Sequence, residues 1–398
     1  MEPSEKSKLG RVPDRIGSRV RTCRQHEADC GTRQGEVPHR DVLDLVPLHP
    51  GKRRVVDTNR VSRSGQAQPA ALPGTAQVCS KEPGESLAQL ERAIPRAFTA
   101  RHEDAISPAP ITGGSYERRY DAAVRLVDSH CHLNAERFAG EEAAVLDRAQ
   151  AAGVERILVP GWNLASSERA IGLVEQFAGL DGAVGVHPHD AAKVDDAGWR
   201  RIVELAAHPR VAAIGETGLV YDRVFSPIPD QLANLRRNLR LALDIGKPAI
   251  LHVRSAAGRS DAQDAILAEL CAAGFGGPAA TAAFGTGRPP AVIHSFSGSV
   301  DYARQVLDLG LAISVSGLAF RTGEESTSDV VPLVSADRLL VETDSPFLSP
   351  PGAPRGRNEP EWVRITADWV ADRRAVDPAD VGDGLVAAYD TFVGRAAS

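Results

Sequence analysis

The chain has 398 residues, 42% hydrophobic and 25% charged, which is the composition of an ordinary globular protein. Its net charge of −6 argues against the basic surface of a non-specific nucleic-acid binder, and no apolar run approaches the roughly 18 residues of a membrane span. The N-terminus lacks the apolar core of a secretory signal, and the five cysteines are scattered and odd in number. We therefore expect no disulfide framework and a reducing, cytoplasmic location.

The chain changes character near residue 125. Residues 1–124 show no sustained hydrophobic period, and segments such as "SRSGQAQPAALPGTAQ" are typical of linkers or disorder. Residues 1–125 hold 21 Lys and Arg against 16 Asp and Glu, whereas the rest holds 25 against 36. We predict a disordered extension over 1–124 and an acidic folded domain over 125–398. Two alternatives stay open for the extension. One is a basic arm that helps to hold nucleic acid. The other is a gene start assigned too far upstream: because Met1 is the only methionine, a start nearer the barrel would lie at a Val or Leu codon.

From residue 125 onward, short apolar runs alternate with helix-like stretches. "ASSERAIGLVEQFAG" (165–179) has helical spacing, and "DQLANLRRNLRLALDIG" (230–246) begins with a candidate Asp cap and ends at a glycine. Eight alternating units predict a TIM (β/α)8 barrel, with an open doubly wound sheet as the alternative. The Gly/Ala/Pro-rich segment 272–291 is predicted to be a flexible loop. The eight predicted strands are "RLVDSH" (125–130), "RILVPG" (156–161), "AVGVHP" (183–188), "VAAIGE" (211–216), "AILHV" (249–253), "AVIHSF" (291–296), "AISVSG" (312–317) and "LLVETD" (339–344).

Histidines and carboxylates gather at the predicted strand ends, where such barrels carry their active sites. Of the seven histidines after residue 125, only His208 lies elsewhere. Glu216 ends the fourth predicted strand and Asp344 the eighth. Imidazoles and carboxylates at one rim predict a site for divalent metal. The six histidines at strand ends are His130, His132, His187, His189, His252 and His294.

One metal ion is predicted beside the first strand. His130 and His132 point the same way if the strand stays extended, and Asp344 lies beside them because the eighth strand closes against the first. A lone histidine at a strand end is more often a hydrogen-bonded core residue, but two aimed at one point favour ligation. Asp128 is interpreted as orienting a ligand histidine, and Cys131, which points the other way, as packing.

A second ion is predicted on the other side of the rim. His252 and His294 reach it from the fifth and sixth strands, and Glu216 is placed to bridge both ions, although a buried salt bridge is its alternative role. Such a pair suits in-line displacement at phosphorus or attack on a carbonyl. Asp344 is the candidate acceptor of the proton of the attacking water, so Asp344 and Glu216 are the predicted catalytic residues.

Two further residues are predicted to contact substrate. His187, in "GVHPH", is assigned to a substrate contact. Two alternatives stay open for both His187 and His189: each could be an additional metal ligand or a residue that forms the turn. Arg254 follows His252 by two residues and is assigned to an anionic group of the substrate, with a surface salt bridge as its alternative.

Six motifs in order resemble the TatD family of metal-dependent deoxyribonucleases over about residues 125–395. They are "VDSHCHLN", "GVHPHD", "IGETGLVYDRVFSP", "ILHVRSA", "IHSFSGS" and "VETDSPFLSPPGAPRGRNEP". The resemblance implies a TIM-barrel metallohydrolase of the amidohydrolase superfamily that trims single-stranded DNA ends with magnesium. It also implies two divalent ions at His130, His132, Glu216, His252, His294 and Asp344. The metal is left open by the ligand types, because histidines suit zinc, manganese or nickel and carboxylates permit magnesium.

The sequence departs from the family pattern at one position. The family commonly has Gly-Leu-Asp after the bridging glutamate, and this chain has Val220 in place of the aspartate. The six ligand positions are intact, so the departure bears on rate or substrate choice. The acidic barrel lacks a phosphate track for long duplexes, which favours DNA or oligonucleotide ends as substrate. We expect no membrane partner, and the oligomeric state is left open with a monomer favoured. Two other functions stay open: a carboxyl-ester or amide hydrolase, such as an aminoacyl-tRNA deacylase or lactonase, and a binding protein that has lost activity.

Overall fold

The structure is a computed structural model that describes residues 124–354 and 356–395. Within them, eight parallel strands pair in strict chain order in one sheet. A doubly wound sheet would reverse its strand order at a switch point, so that alternative is wrong and the predicted barrel is confirmed. The strands are β1 Leu126–Asp128, β2 Val154–Pro160, β3 Leu180–Val184, β4 Val211–Val220, β5 Ala249–Arg254, β6 Ala291–Ile293, β7 Ala312–Val315 and β8 Leu339–Val341.

The barrel closes between the segments that follow β1 and β8. The Ser129 amide donates to the Val341 carbonyl at 3.0 Å, and the Asp344 amide donates to the His130 carbonyl at 2.9 Å. These bonds bring a candidate ligand of the last strand beside one of the first strand, as the sequence predicts.

The first eight helices lie between the strands along the chain, and the last two follow β8. The second predicted helix ends at Gly246, which takes the left-handed conformation with φ of 65°. Its start differs from the prediction: Pro227, not Asp230, occupies the cap position, and Asp230 lies in the first turn. The helices are α1 Glu142–Ala151, α2 Leu164–Gln176, α3 Asp196–Ala206, α4 Ile228–Ile245, α5 Asp261–Ala273, α6 Pro278–Phe284, α7 Val300–Asp308, α8 Thr327–Val330, α9 Val363–Arg374 and α10 Pro378–Val393.

The segment 272–291 is not the uninterrupted loop that its composition predicts. It contains α6, with Pro278 at the first helical position, where a missing amide hydrogen costs nothing. Phe284 is buried, and its ring centroid lies 6.5 Å from that of Phe275. The aromatic contact therefore fixes a stretch that its Gly and Ala content alone would leave mobile.

The strands end earlier than several of the apolar runs that predict them. β3 spans 180–184 rather than 183–188, and β6 and β8 end at 293 and 341. The last residues of those runs therefore lie in the loops at the carboxyl ends of the strands, which we call the barrel mouth.

A core layer takes one residue from each strand, and α10 packs Tyr389 and Phe392 against it. In the part of the chain described, no single helix is long and apolar enough to cross a membrane. Only the bent pair α5 and α6, at 77°, meets that length and composition together. The predicted extension, apart from Val124, lies outside the described residues. The eight strand residues of the layer are Val127, Leu158, Ala183, Ala213, Ile250, Val292, Ala312 and Leu340.

Candidate metal centre

The Glu216 carboxylate lies at the centre of the barrel mouth, and its two oxygens face different imidazoles. Oε2 lies 3.6 Å from His130 Nε2 and 3.5 Å from His132 Nε2. Oε1 lies 2.6 Å from His252 Nδ1 and 2.9 Å from His294 Nε2. The predicted bridging position is therefore one that this side chain can fill, with one oxygen for each pair of histidines.

Asp344 joins the first pair of histidines. The Nε2 atoms of His130 and His132 lie 3.3 Å apart, and Asp344 Oδ1 is 3.8 Å from the former and 3.4 Å from the latter. Asp344 itself has φ of 54°, a left-handed conformation that non-glycine residues seldom adopt outside turns and functional sites. These three side chains form a group whose ligand atoms lie within 4.8 Å of one another.

His187 belongs to the second group of candidate ligands, although the sequence assigned it to substrate. Its Nε2 lies 3.6 Å from Glu216 Oε1, and with His252 these residues form a group of metal-capable atoms. His294 joins Glu216 and His130 in a third, overlapping group. The substrate assignment of His187 stays a prediction beside the ligand role that was its alternative.

Close backbone contact between β4 and β5 positions Glu216 and His252. Gly218 pairs with His252 across the two strands, and a Cβ atom at Gly218 would lie 1.9 Å from the His252 carbonyl oxygen. Glycine is therefore the residue that lets the strands approach here. The approach holds His252 Nδ1 at hydrogen-bond distance from Glu216.

The imidazoles around Glu216 differ in their affinity for protons. Burial lowers the pKa of His130 and lowers that of His187 well below its usual value. Burial acts the same way on His294, but the carboxylates of Glu216 and Glu342 outweigh it and raise the pKa of His294 well above its usual value. Burial favours a neutral Glu216, yet His294 and His187 outweigh it and hold the Glu216 pKa well below its usual range.

Glu342 is a site residue that the sequence analysis missed. It is fully buried, and its Oε1 lies 3.1 Å from His294 Nδ1 and accepts the Ser295 amide at 2.7 Å. This contact fixes the ring of His294 with Nε2 toward Glu216. The available signal was its spacing in "VETD", two residues before Asp344.

Asp128 lies outside the three groups of metal-capable atoms, and it contacts the backbone amide of His130 rather than the ring, so its orienting role stays a prediction. Its carboxylate accepts the Thr343 amide at 2.9 Å, the Thr343 hydroxyl at 2.5 Å and the His130 amide at 3.2 Å. Burial raises the pKa of Asp128 to about 8 in spite of these bonds. Cys131 is free and fully buried, as a packing residue should be.

Arg254 and Val220 are neighbours in the strand pairing of β4 and β5. Arg254 Nη1 lies 3.0 Å from Glu324 Oε1, which also accepts the Ser297 hydroxyl at 3.0 Å. Val220 is buried, and its amide donates to Gln231. The structure thus shows the salt bridge that was the alternative for Arg254, and its substrate contact stays a prediction.

The donor set fits a divalent cation. The buried Nδ1 atoms of His130 and His132 have no hydrogen-bond partner within the described residues, while both Nε2 atoms face carboxylate oxygens. Every ion-pair partner found for Glu216 and Asp344 in residues 124–354 and 356–395 is a histidine, never Lys or Arg. A divalent ion bound here would take the place of the protons that lie between these carboxylates and imidazoles.

A sequence model of the family described as TatD related DNase matches residues 127–393, more than half of the chain. The protein belongs to the TatD family. The resemblance and its hydrolase chemistry are thereby confirmed, and TatD-type metal-dependent hydrolysis is the activity of this barrel.

Two curated relatives match this chain over most of their own length. An uncharacterized metal-dependent hydrolase, YabD of Bacillus subtilis, is 34% identical over 247 residues, covering 62% of this chain and 90% of its own. The 3'-5' ssDNA/RNA exonuclease TatD of Cronobacter sakazakii is 35% identical over 261 residues, covering 64% and 92%. Among solved structures, the TatD homologue YjjV of Escherichia coli is 28% identical with a TM-score of 0.59, covering 69% of this chain and all of its own.

Proposed function

We propose that the protein removes nucleotides from an end of single-stranded DNA by hydrolysis assisted by two divalent ions. The observation that carries the proposal is the position of Glu216, whose oxygens each face a separate pair of imidazoles. The Cronobacter sakazakii relative, named an exonuclease on single-stranded DNA and RNA, supports the choice of substrate.

The ligands divide between the two ions according to these contacts. His130, His132 and Asp344 would hold one ion, His252 and His294 the other, and Glu216 would join both. When bound, two such ions polarise the phosphoryl oxygens and lower the pKa of water. Magnesium, manganese and zinc are all compatible with this mixed set of imidazole and carboxylate ligands.

Asp344 would take the proton of the attacking water. Its side chain is 13% exposed against 4% for Glu216, so water reaches it from the mouth. The water oxygen would form a bond to phosphorus as one of its protons passes to the Asp344 carboxylate. The bond from phosphorus to the leaving oxygen would break, and that oxygen would take up a proton from Asp344 or from water as the alcohol of the departing strand or nucleotide.

A second candidate is hydrolysis of a carboxyl ester, such as an aminoacyl-tRNA or a lactone. The observation in its favour is the ion pair of Arg254 with Glu324, which already neutralises the guanidinium assigned to a substrate anion. Attack of the same water on the carbonyl of an uncharged ester needs fewer positively charged side chains around the substrate than attack on a nucleic-acid strand.

The test is hydrolysis of single-stranded DNA labelled at the 5′ end or at the 3′ end. The full chain is incubated with EDTA, Mg²⁺, Mn²⁺ or Zn²⁺, beside the Asp344→Asn variant. We expect a metal-dependent ladder that shortens from one end and disappears in the variant. A folded, metal-loaded protein that leaves DNA intact but deacylates aminoacyl-tRNA would establish the second candidate instead.

The Val220 departure is tested in the same assay with Val220→Asp. We expect turnover to change by less than about 10-fold, because the candidate ligands are complete without it. A far larger gain would support the reading of the native chain as a binding protein that lost activity.

A further inference from the structure

Only two aromatic side chains are exposed within residues 124–354 and 356–395, and both lie at the barrel mouth. Phe225 is 61% exposed and Phe347 is 45% exposed. Phe225 follows β4 and Phe347 follows β8, strands that stand opposite each other in an eight-stranded barrel. The candidate metal centre therefore lies between two exposed phenyl rings.

Phe347 is held against the first group of ligands. Its ring centroid lies 5.9 Å from that of His132, with the planes nearly perpendicular at 74°. Its amide donates to the Asp344 carbonyl at 2.8 Å, and its carbonyl accepts from Asn358. The backbone that presents the ring is thus fixed to the residue that takes the proton in the proposed reaction.

Phe225 is held further from the metal centre, through two histidines. Its ring lies 4.6 Å from that of His189, which lies 4.5 Å from that of His187. The next residue, Ser226, is fully buried, and its hydroxyl donates to the His189 carbonyl at 2.9 Å. Gln231 donates to the Ser226 carbonyl at 2.8 Å. The exposed ring therefore stands on an anchored loop.

The charge of the domain shows what kind of contact must hold the substrate. Residues after 125 carry 36 acidic against 25 basic side chains, and Arg254 at the mouth is paired with Glu324. The net negative charge of this domain therefore gives little support for a long row of phosphate contacts. Base stacking on aromatic rings supplies affinity without positive charge, and it tolerates every base.

We infer that Phe347 and Phe225 are stacking platforms for two bases of the single-stranded substrate. Phe347, one ring contact from the ligands, takes the base of the terminal nucleotide. Phe225, two ring contacts from Glu216 through His189 and His187, takes a base further along the strand. The inference rests on the proposed function, because it assumes a nucleic-acid end at the metal centre.

Binding is measured first, by fluorescence anisotropy of labelled single-stranded oligonucleotides with Mg²⁺ in the Asp344→Asn background. We expect Phe347→Ala to raise the Kd of every oligonucleotide by about 5-fold to 100-fold. Phe225→Ala should do the same for a ten-nucleotide strand but leave the Kd of a dinucleotide unchanged. The Phe→Leu variants keep apolar volume at each site, and they should lose the same affinity if the aromatic face is what binds.

An oligonucleotide whose terminal nucleotide lacks its base separates the two platforms. With that strand, Phe347→Ala should no longer change Kd, while Phe225→Ala should keep its full effect. The Phe→Tyr variants should bind as the parent does, and Leu333→Ala, which removes an exposed apolar side chain outside the mouth, should be neutral.

Two results would overturn the inference. The first is unchanged Kd in both the Ala and the Leu variants, while the unmutated chain still degrades DNA; that result leaves the proposed function standing. The second is a change in oligomeric state on size-exclusion chromatography with no change in Kd, which would assign Phe225 to a contact between copies. Absence of metal-dependent DNA cleavage by the unmutated chain would instead remove the proposed function and this inference with it.

Discussion

Two buried carboxylates at opposite ends of the barrel are neutralised in different ways. Asp181, the second residue of β3, is 2% exposed, and Glu216, toward the carboxyl end of β4, is 3% exposed. Asp181 Oδ2 lies 2.8 Å from Arg156 Nη2 and accepts the Tyr389 hydroxyl at 2.8 Å, and Oδ1 pairs with Arg395. Among residues 124–354 and 356–395, the ion-pair partners of Glu216 are histidines alone.

The difference separates a structural carboxylate from one prepared for a metal. Arginine is always charged, so Asp181 is neutralised within the chain itself. Imidazoles such as His130 and His187, whose pKa burial lowers, are neutral at pH 7 and offer lone pairs rather than charge. His294, whose pKa is raised, is the exception, and a bound cation would take the place of its proton. Glu216 is thus left for a cation from solution.

The largest expected effect is on turnover, in Asp344→Asn. The amide cannot accept a proton from the attacking water, so we expect kcat to fall by about 10²- to 10⁴-fold. Steady-state hydrolysis of single-stranded DNA measures it, with circular dichroism to show an intact fold. A variant within 3-fold of the unmutated rate would remove Asp344 from the proposed chemistry.

Asp181→Asn should act on stability and not on metal binding. It removes the charge-assisted hydrogen bonds to Arg156 and Arg395, which costs about 1.5–3 kcal/mol of unfolding free energy because both guanidinium groups are partly exposed to water. Urea unfolding of the metal-free protein measures the loss, and metal content should stay unchanged. A loss of metal from this variant would contradict the assignment of Asp181 to stability and of Glu216 to metal binding.

Glu342→Gln should weaken the metal centre through His294. We expect metal affinity to fall by about 10- to 100-fold, because the carboxylate that orients the ring is lost. The proton released on metal binding near pH 7 should also decrease, since Glu342 helps to raise the pKa of His294. Calorimetric titration in two buffers of different ionisation enthalpy measures both, and unchanged proton release would contradict this role.

The smallest expected effect concerns His189, whose pKa burial lowers to about 4. In the unfolded chain the pKa of this imidazole is near 6.5. Between pH 6.5 and 4 the unfolded chain therefore binds a proton that the folded chain does not. Folding stability falls as the pH falls through that range. Relative to His189→Gln, the unmutated chain should lose about 1–2 kcal/mol there, allowing for solvent screening. Urea unfolding at pH 7, 5.5 and 4.5 checks it, and parallel curves would contradict the assignment.

The sequence predicted the barrel because buried parallel strands need continuous apolar runs, and eight such runs alternate with helices. It predicted the candidate ligands because strand ends converge at one rim. It missed the start of β3, because Asp181 and Gly182 look unlike strand residues. Asp181 is accommodated there by Arg395, 214 positions away in the chain. It missed Glu342 for the same reason, since only the folded barrel brings His294 to it.

The two-ion centre is tested by measuring the number of metal ions bound by matched carboxylate-to-amide variants. Mn²⁺ titration of the metal-free protein should give two ions per chain in the unmutated protein and in Asp181→Asn. Glu216→Gln should lose at least one of them, because the amide offers one weak oxygen where the carboxylate offers two charged ones. Two ions bound by Glu216→Gln with unchanged affinity would contradict the bridging role of Glu216 and the two-ion centre proposed around it.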